Sequence, residues 1–392
     1  MKKLILSTSI SILTFGFGFS QTVKTSEINT INTAVPFLRI SPDARSGAMG
    51  DVGIAITPDA SATYWNASKL AFIDKNMGVA ITYTPWLKGL GINDIYLAHL
   101  SLYKKIDKTQ TIATSLRYFS LGSIQFTDAQ GNNLNNFNPK EFSWDISYAR
   151  LLSKHLSVSL SGRYIFSNLA SGNEVNGVPI SSAKGASADV GLYYRKNVKL
   201  GKQTKGLLAF GTNISNLGTK VSYTKSATNK DYLPANFGIG SSLKMDFDKY
   251  NSLEIALDAN KLLVPTPDGT TTYEYKKYSP FEGAMKSWSD APGGSKEELR
   301  EINLSFGAEY WYNKQFAVRT GMFYEDPTKG NRLYATLGVG VKYNVFGMNF
   351  SYLVPAFRKN SVNGRSPLDN TLRFSLLFDL DAFKTDEAPA AL

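Results

Sequence analysis

The stretch LSVSLSGRYIF, Leu156 to Phe166, is the clearest alternating run in the chain. In an extended chain Leu156, Val158, Leu160, Gly162, Tyr164 and Phe166 share one face, while Ser157, Ser159, Ser161 and Arg163 share the other. One face suits hydrocarbon and the other suits water. The same dyad recurs with Phe142, Trp144, Ile146 and Tyr148 against Ser143, Asp145 and Ser147. It returns with Ile302, Leu304, Phe306, Ala308 and Tyr310 against Asn303, Ser305, Gly307 and Glu309, and with Leu372, Phe374, Leu376 and Phe378 against Arg373, Ser375 and Asp379.

Working outward, the alternation predicts strands near 77–84, 95–103, 110–119, 142–150, 156–166, 186–195, 207–214, 236–243, 252–260, 302–311, 315–323, 332–343, 347–354 and 371–379, about fourteen in all. Most have about the 9–11 residues that a tilted strand needs to cross a bilayer. The segments between them alternate in length. Short turns such as KKIDKT, LLSKH, KMDFDKY, YNK and NVFG separate long loops at 120–141, 167–185, 215–235, 261–301 and 355–370. Short periplasmic turns opposite longer external loops mark an outer-membrane barrel. A soluble β-sandwich also alternates. It does not account for the one-sided loops or for aromatics at strand ends such as Tyr83, Trp86, Tyr148, Tyr164, Phe166, Tyr310 and Tyr312. The expected fold is all-β: a transmembrane antiparallel barrel spanning 76–380, with a periplasmic tail at 381–392.

The chain ends and composition agree. Met1-Lys2-Lys3, the apolar run Leu4–Phe19 and the small residues before Gln21 read as a secretory signal over residues 1–20. No later window holds the roughly 18 apolar residues of a membrane helix. The chain has no Cys, which removes disulfides, thiol chemistry and Cys-based metal sites. It carries 23 Phe and 21 Tyr with only 19% charged residues, an aromatic excess that fits strands. The net charge of +11 could suggest nucleic acid, but an exported chain whose basic residues cluster in short turns points away from it.

Residues 21–75 precede the first strand and so begin on the periplasmic side. A barrel of about fourteen strands has a lumen too wide for its own side chains to fill, and this segment is expected to fold inward as a plug. Gly47, Gly50 and Gly53 permit tight turns and close approach to the wall, and Asp59 and Ser61 are turn and cap residues. DASATYWNASKLA, Asp59 to Ala71, resembles the N-terminal hatch of the FadL family of outer-membrane transporters. There Trp65 and Asn66 are expected to anchor the plug, with ligand contact as the alternative.

A longer resemblance lies in the C-terminal half. WSDAPGGSKEELREINLSFGAEYWYNKQFAVRTGMFYEDPTKGNRLYATLGVGVKYNVFGMNFSYLVP, Trp288 to Pro355, is similar to the PorV/PorQ group, FadL-like barrels of the type IX secretion system. FLRISPDARSGAMGDVGIA, Phe37 to Ala55, resembles the same group. The resemblance implies an outer-membrane component that binds the C-terminal domain of secreted cargo at the translocon subunit and carries it to attachment proteins on the cell surface. It also implies contact with outer-membrane lipid and lipopolysaccharide. A FadL-like channel for small hydrophobic compounds is the alternative.

The faces assigned inward carry Arg117, Arg163, Arg195, Arg319, Lys342 and Arg373 with Asp145, Asp189, Glu254, Asp258, Glu309 and Asp379. Such an interior needs ion pairing or water, and fits a filled lumen better than an apolar duct. Phe119, Tyr193, Phe323 and Tyr334 also face inward. No catalytic residue, cofactor or metal is expected: His99 and His155 are the only imidazoles, and neither lies in a nucleophile–base–acid pattern. The longest loop, 261–301, carries Tyr273, Tyr275, Tyr278, Phe281 and Trp288, aromatic types favoured at interfaces. These are expected either to bind a partner or to close the barrel mouth as a lid. Ser295 and Glu298 are spaced as a capping box for a short helix.

Overall fold

The structure, a computed structural model, describes residues 28–355 and 371–380, apart from 89–90, 128–129, 176, 202–203, 225–229 and 268–273. The expected leader at 1–20, the tail at 381–392 and Tyr273 lie outside the described residues.

Fourteen antiparallel strands form a closed barrel. They are β1 Met77–Pro85, β2 Ile95–Lys105, β3 Gln110–Leu121, β4 Lys140–Leu151, β5 Leu156–Asn168, β6 Ala183–Lys199 and β7 Lys205–Gly218. The second half comprises β8 Asn236–Asp246, β9 Asn251–Leu262, β10 Ile302–Tyr312, β11 Phe316–Tyr324, β12 Leu333–Tyr343, β13 Phe346–Pro355 and β14 Leu372–Asp379. Each strand pairs with its sequence neighbours, and β14 pairs back on β1 through Val79 opposite Phe378. Closure leaves no unpaired edge, which a lipid environment requires of a sheet.

The alternation sorts as the sequence predicts. Leu160 is 60% exposed, whereas its neighbours Ser159 and Ser161 are 6% and 4% exposed. Val190, Ile239, Leu257, Val318 and Leu337 continue an apolar exterior, and Tyr83, Tyr148, Tyr164, Tyr310 and Tyr312 point outward near the strand ends. Trp86 corrects the expectation: it turns in and packs on the cluster containing Phe37 and Leu38. The backbone leaves the sheet after Pro85, and Leu87 adopts φ 56°, so the period-two rule no longer governs there.

β6 and β7 are longer than the alternation suggests, because their paired backbones continue past the end of the apolar pattern. An extra residue shifts their register between Ala188 and Val190. The loop after β3 carries a small hairpin of its own, Ile124–Thr127 with Asn133–Phe137.

Candidate functional site

Residues 34–73 lie buried against the inward faces of the strands. The segment contains a 3-10 turn at Pro36–Arg39, α1 Ala44–Gly47, α2 Ala62–Trp65 and a second 3-10 turn at Ala67–Phe72. Irregular backbone inside a barrel needs partners for its polar groups, and wall side chains supply them. The Gly50 amide donates to Thr336 Oγ1 at 2.8 Å, and the Gly53 and Ile54 amides donate to Asp258 at 2.7 and 2.9 Å. The Ala44 amide donates to Ser375 Oγ at 2.9 Å, while Ser157 Oγ and Arg117 Nη1 donate to the Ser68 and Leu38 carbonyls at 2.7 and 3.0 Å.

The path is also carved sterically. Inward glycines line it: a Cβ at Gly321 would sit 2.0 Å from the Met49 backbone, one at Gly307 2.5 Å from the Met49 carbonyl, and one at Gly338 2.4 Å from Ala48. The segment answers with its own glycine. Gly50 has φ +69°, and a Cβ there would come within 2.5 Å of the Met322 backbone. Gly47 makes room for Arg373, and Gly53 for the Trp65 ring. Trp65 Nε1 donates to Asp43 at 2.6 Å, and the same carboxylate caps α1 by accepting from the Ser46 amide at 2.8 Å. Asn66 Nδ2 donates to the Leu192 carbonyl of β6 at 2.9 Å, while its Oδ1 accepts from Ser68 Oγ at 2.5 Å. Trp65 and Asn66 thus tie the segment to itself and to the wall. Asp59 makes a local turn by accepting from the Ser61 amide at 2.8 Å, whereas Ser61 gives α2 no side-chain cap.

Two ion-pair cages hold the middle of the lumen. On adjacent strands Glu254 stands directly opposite Glu309, an arrangement that repels on its own. Arg45 of the segment resolves it. Its Nε and Nη2 bond Glu309 at 2.9 and 2.7 Å, Nη2 reaches Glu254 at 3.3 Å, and Nη1 reaches Asp59 at 3.0 Å. Arg319 Nε completes Glu309 at 2.5 Å. In the second cage Arg163 pairs with Asp145 and, through Nη2 at 2.8 Å, with Asp189. Arg117 lies over the Tyr64 ring at 4.9 Å.

Cavities remain at the two ends of the lumen. The periplasmic one, about 400 Å³, is lined by Phe72, Arg195, Lys342 and Asp379 among others. The extracellular vestibule, about 320 Å³, is lined by Arg39, Asp51, Trp86, Arg332 and Arg373 among others. Burial pulls the Arg39 pKa below the usual arginine value, and the Arg332 charge adds to that.

The long loop crosses the rim and lies against the outside of the wall. α3, Pro280–Lys286, is capped by Ser279 accepting from the Glu282 amide at 3.2 Å. Its Ala284 joins Ala235 and Leu263 over the outward-facing Ile214 and Phe237. Trp288 meets the Phe237 ring edge-on at 5.5 Å. Tyr275 and Tyr278 are half-buried, and their carbonyls accept from Tyr232 Oη at 3.1 and 2.8 Å. Phe281 is 68% and Trp288 48% exposed. Between them Met285, 62% exposed, completes an i, i+4, i+7 stripe. The sequence reading missed Met285, although the spacing FEGAMKSW contains it.

The capping box does not form. Gly294, at φ 68°, precedes α4, Ser295–Arg300. Glu298 instead accepts from the Ala291 amide at 2.8 Å and from Lys261 Nζ at 2.9 Å. A long-range lysine and a loop amide occupy the carboxylate, so it cannot turn back to Ser295.

His99 is buried with both ring nitrogens unpartnered, and His155 Nδ1 lies 3.0 Å from the Arg195 carbonyl. Neither meets a hydroxyl nucleophile. Among the described residues no group of His, Asp and Glu could hold a metal ion.

A closed fourteen-strand barrel with an apolar exterior and a polar, internally paired lumen belongs to the outer-membrane proteins of Gram-negative bacteria. The family model for type IX secretion system protein PorV matches residues 23–269, and the chain belongs to that family. It is therefore an outer-membrane barrel of the type IX secretion system. Similar solved structures include the Ralstonia pickettii toluene transporter TbuX, with 13% identity, 86% of this chain and 97% of that one covered, and a TM-score of 0.47. The P. putida toluene transporter TodX is similar at 12% identity, with 86% and 95% covered and a TM-score of 0.49. A Pseudomonas aeruginosa FadL homologue is similar at 11%, with 90% and 99% covered and a TM-score of 0.41. No individual curated protein matches the sequence.

Proposed function

We propose that this protein captures the C-terminal domain of secreted cargo at the translocon and passes it to the surface attachment machinery. The observation that carries the reading is the exposed apolar set outside the rim, Phe281 and Met285 on a short helix and Trp288 in the turn that follows it. Large exposed apolar side chains on a braced element are what a protein partner buries. Tyr275 and Tyr278 brace its base, and Tyr273 extends the same loop. A plug role for residues 21–75 accompanies this reading: Gly47, Gly50 and Gly53 fit the segment to its path, Trp65 and Asn66 anchor it, and the Arg45 cage locks it. A sealed lumen lets the barrel serve as a docking platform without leaking solutes. Removal of the leader at 1–20 and a periplasmic tail at 381–392 belong to the same proposal.

The test replaces Phe281 and Trp288 by Ala and measures co-purification with a cargo C-terminal domain from detergent. Loss of hot-spot aromatics costs at least about 2 kcal/mol, roughly thirtyfold in affinity, and heat-modifiable mobility should be unchanged. Undiminished cargo association together with lost uptake of hydrophobic compounds would favour the channel alternative.

A further inference from the structure

The periplasmic turns carry the positive charge of the chain unevenly. KKIDK, Lys104 to Lys108, RLLSKH, Arg150 to His155, and RKNVKLGKQTK, Arg195 to Lys205, hold ten Lys and Arg against one Asp. The turns of the second half, KMDFDKY, YNK and KYNVF, hold four Lys against two Asp. The same difference marks the outer wall. On β2, β4 and β6 the outward alternation that includes Leu100, Ile146 and Leu192 ends in Lys104, Arg150 and Lys196, all exposed. Opposite these cations on the next strand stand Ile112, Val158 and Leu208. On β8, β10 and β12 the alternation closes instead on exposed rings, Phe247, Tyr312 and Tyr343.

Among the described residues no carboxylate pairs with Lys104, Arg150 or Lys196. Asp107, the acid of these turns, is held by its own turn, accepting from the Thr109 and Gln110 amides at 2.6 and 2.9 Å. In the other half Asp246 faces Lys244 at 3.6 Å, and Asp248 accepts from the Tyr250 amide at 2.7 Å. Beyond the three cations the turn tips expose Ile106, Leu152 and Leu200. A cation that ends an apolar column stands where acyl chains give way to headgroups, and its charged end reaches the phosphates there. A soluble acidic protein reaches the turn tips, but not cations set beside Ile112, Val158 and Leu208 on the wall. We propose that the β2–β6 side of the periplasmic rim binds anionic phospholipid of the periplasmic leaflet through Lys104, Arg150 and Lys196, and that the β8–β12 side does not. The surface lies at the far end of the barrel from the long loop and does not depend on cargo capture.

The full chain in maltoside detergent is mixed with equal amounts of dioleoyl phosphatidylglycerol and dioleoyl phosphatidylcholine and passed over a size-exclusion column, and the retained lipids are quantified by mass spectrometry. Each basic residue beside an acidic lipid contributes about fivefold, so three should give phosphatidylglycerol a preference of at least about tenfold. Lys104→Gln, Arg150→Gln and Lys196→Gln combined should abolish the preference while heat-modifiable mobility stays normal. Lys249→Gln, Lys314→Gln and Lys342→Gln combined remove the same charge from the other half and should leave the preference intact. Equal retention of the two lipids by the parent overturns the proposal in favour of a soluble acidic partner. A preference that survives in the first variant overturns it as well. Equal loss in both variants would make net charge the cause and overturn the assignment to one side.

Discussion

Arg45 and Phe281 stand at opposite extremes of this molecule. Every nitrogen of the Arg45 guanidinium is committed to Glu309, Glu254, Asp59 or Thr57, deep inside the lumen. The Phe281 ring is 68% exposed on a helix that rests outside the wall. Around Arg45 each strong group is answered by another part of the chain, so a change there is felt as instability. At the rim the strong groups are left unanswered, so a change there should be felt in association with something else.

The comparison breaks most decisively at Arg45. Arg45→Ala would leave Glu254 opposite Glu309 with Asp59 nearby and only Arg319 to compensate. Removing one member of a buried ionic network costs about 3–5 kcal/mol. We expect the N-terminal segment to loosen, with a lower denaturation midpoint and ion conductance in planar bilayers where the parent is silent. An unchanged midpoint and silence would mean that the cage contributes nothing to holding the segment.

Gly50→Ala should act in the same direction with a smaller effect. It asks an L-residue to hold φ +69° and places a methyl 2.5 Å from the Met322 backbone. Strain of this kind costs about 1–3 kcal/mol. The check is the denaturation midpoint beside that of Gly53→Ala, whose clash is with the movable Trp65 ring.

The smallest effect belongs to the loop. Burial raises the Asp290 pKa to about 6, against the hydrogen bond it accepts from the Thr266 amide. A raised carboxylate pKa means that the folded loop holds its proton more tightly than the unfolded one. Its stabilising contribution is therefore full below the ordinary carboxylate range and is lost as pH rises through about 6. Limited proteolysis of the 263–301 loop should be slower at pH 5 than at pH 7. Asp290→Asn should flatten that difference, and cleavage faster at pH 5 would contradict the assignment.

Much of the barrel was legible in the chain, because a strand between lipid and a polar lumen must alternate. Leu160, Ser161 and Arg163 declare their faces by chemistry alone. Legibility failed where the alternation stops. Trp86 lies past the end of β1 and turned inward, and Glu298 found Lys261 rather than its local cap. Gly307, Gly321 and Gly338 could be placed on inward faces by parity, but nothing local says that Met49 and Ala48 will fill the space.

The sequence by itself determined how many strands there are, which faces meet lipid, and that the interior must be charged. These depend on period and polarity, which are local. Only the tertiary structure decided that Glu254 would stand against Glu309 and that Arg45, more than 200 positions earlier, would resolve the repulsion. It also decided that the long loop would lie outside the rim. Those outcomes follow from closing the sheet and threading a segment through it, which brings together residues whose separation in sequence carries no record of their contact.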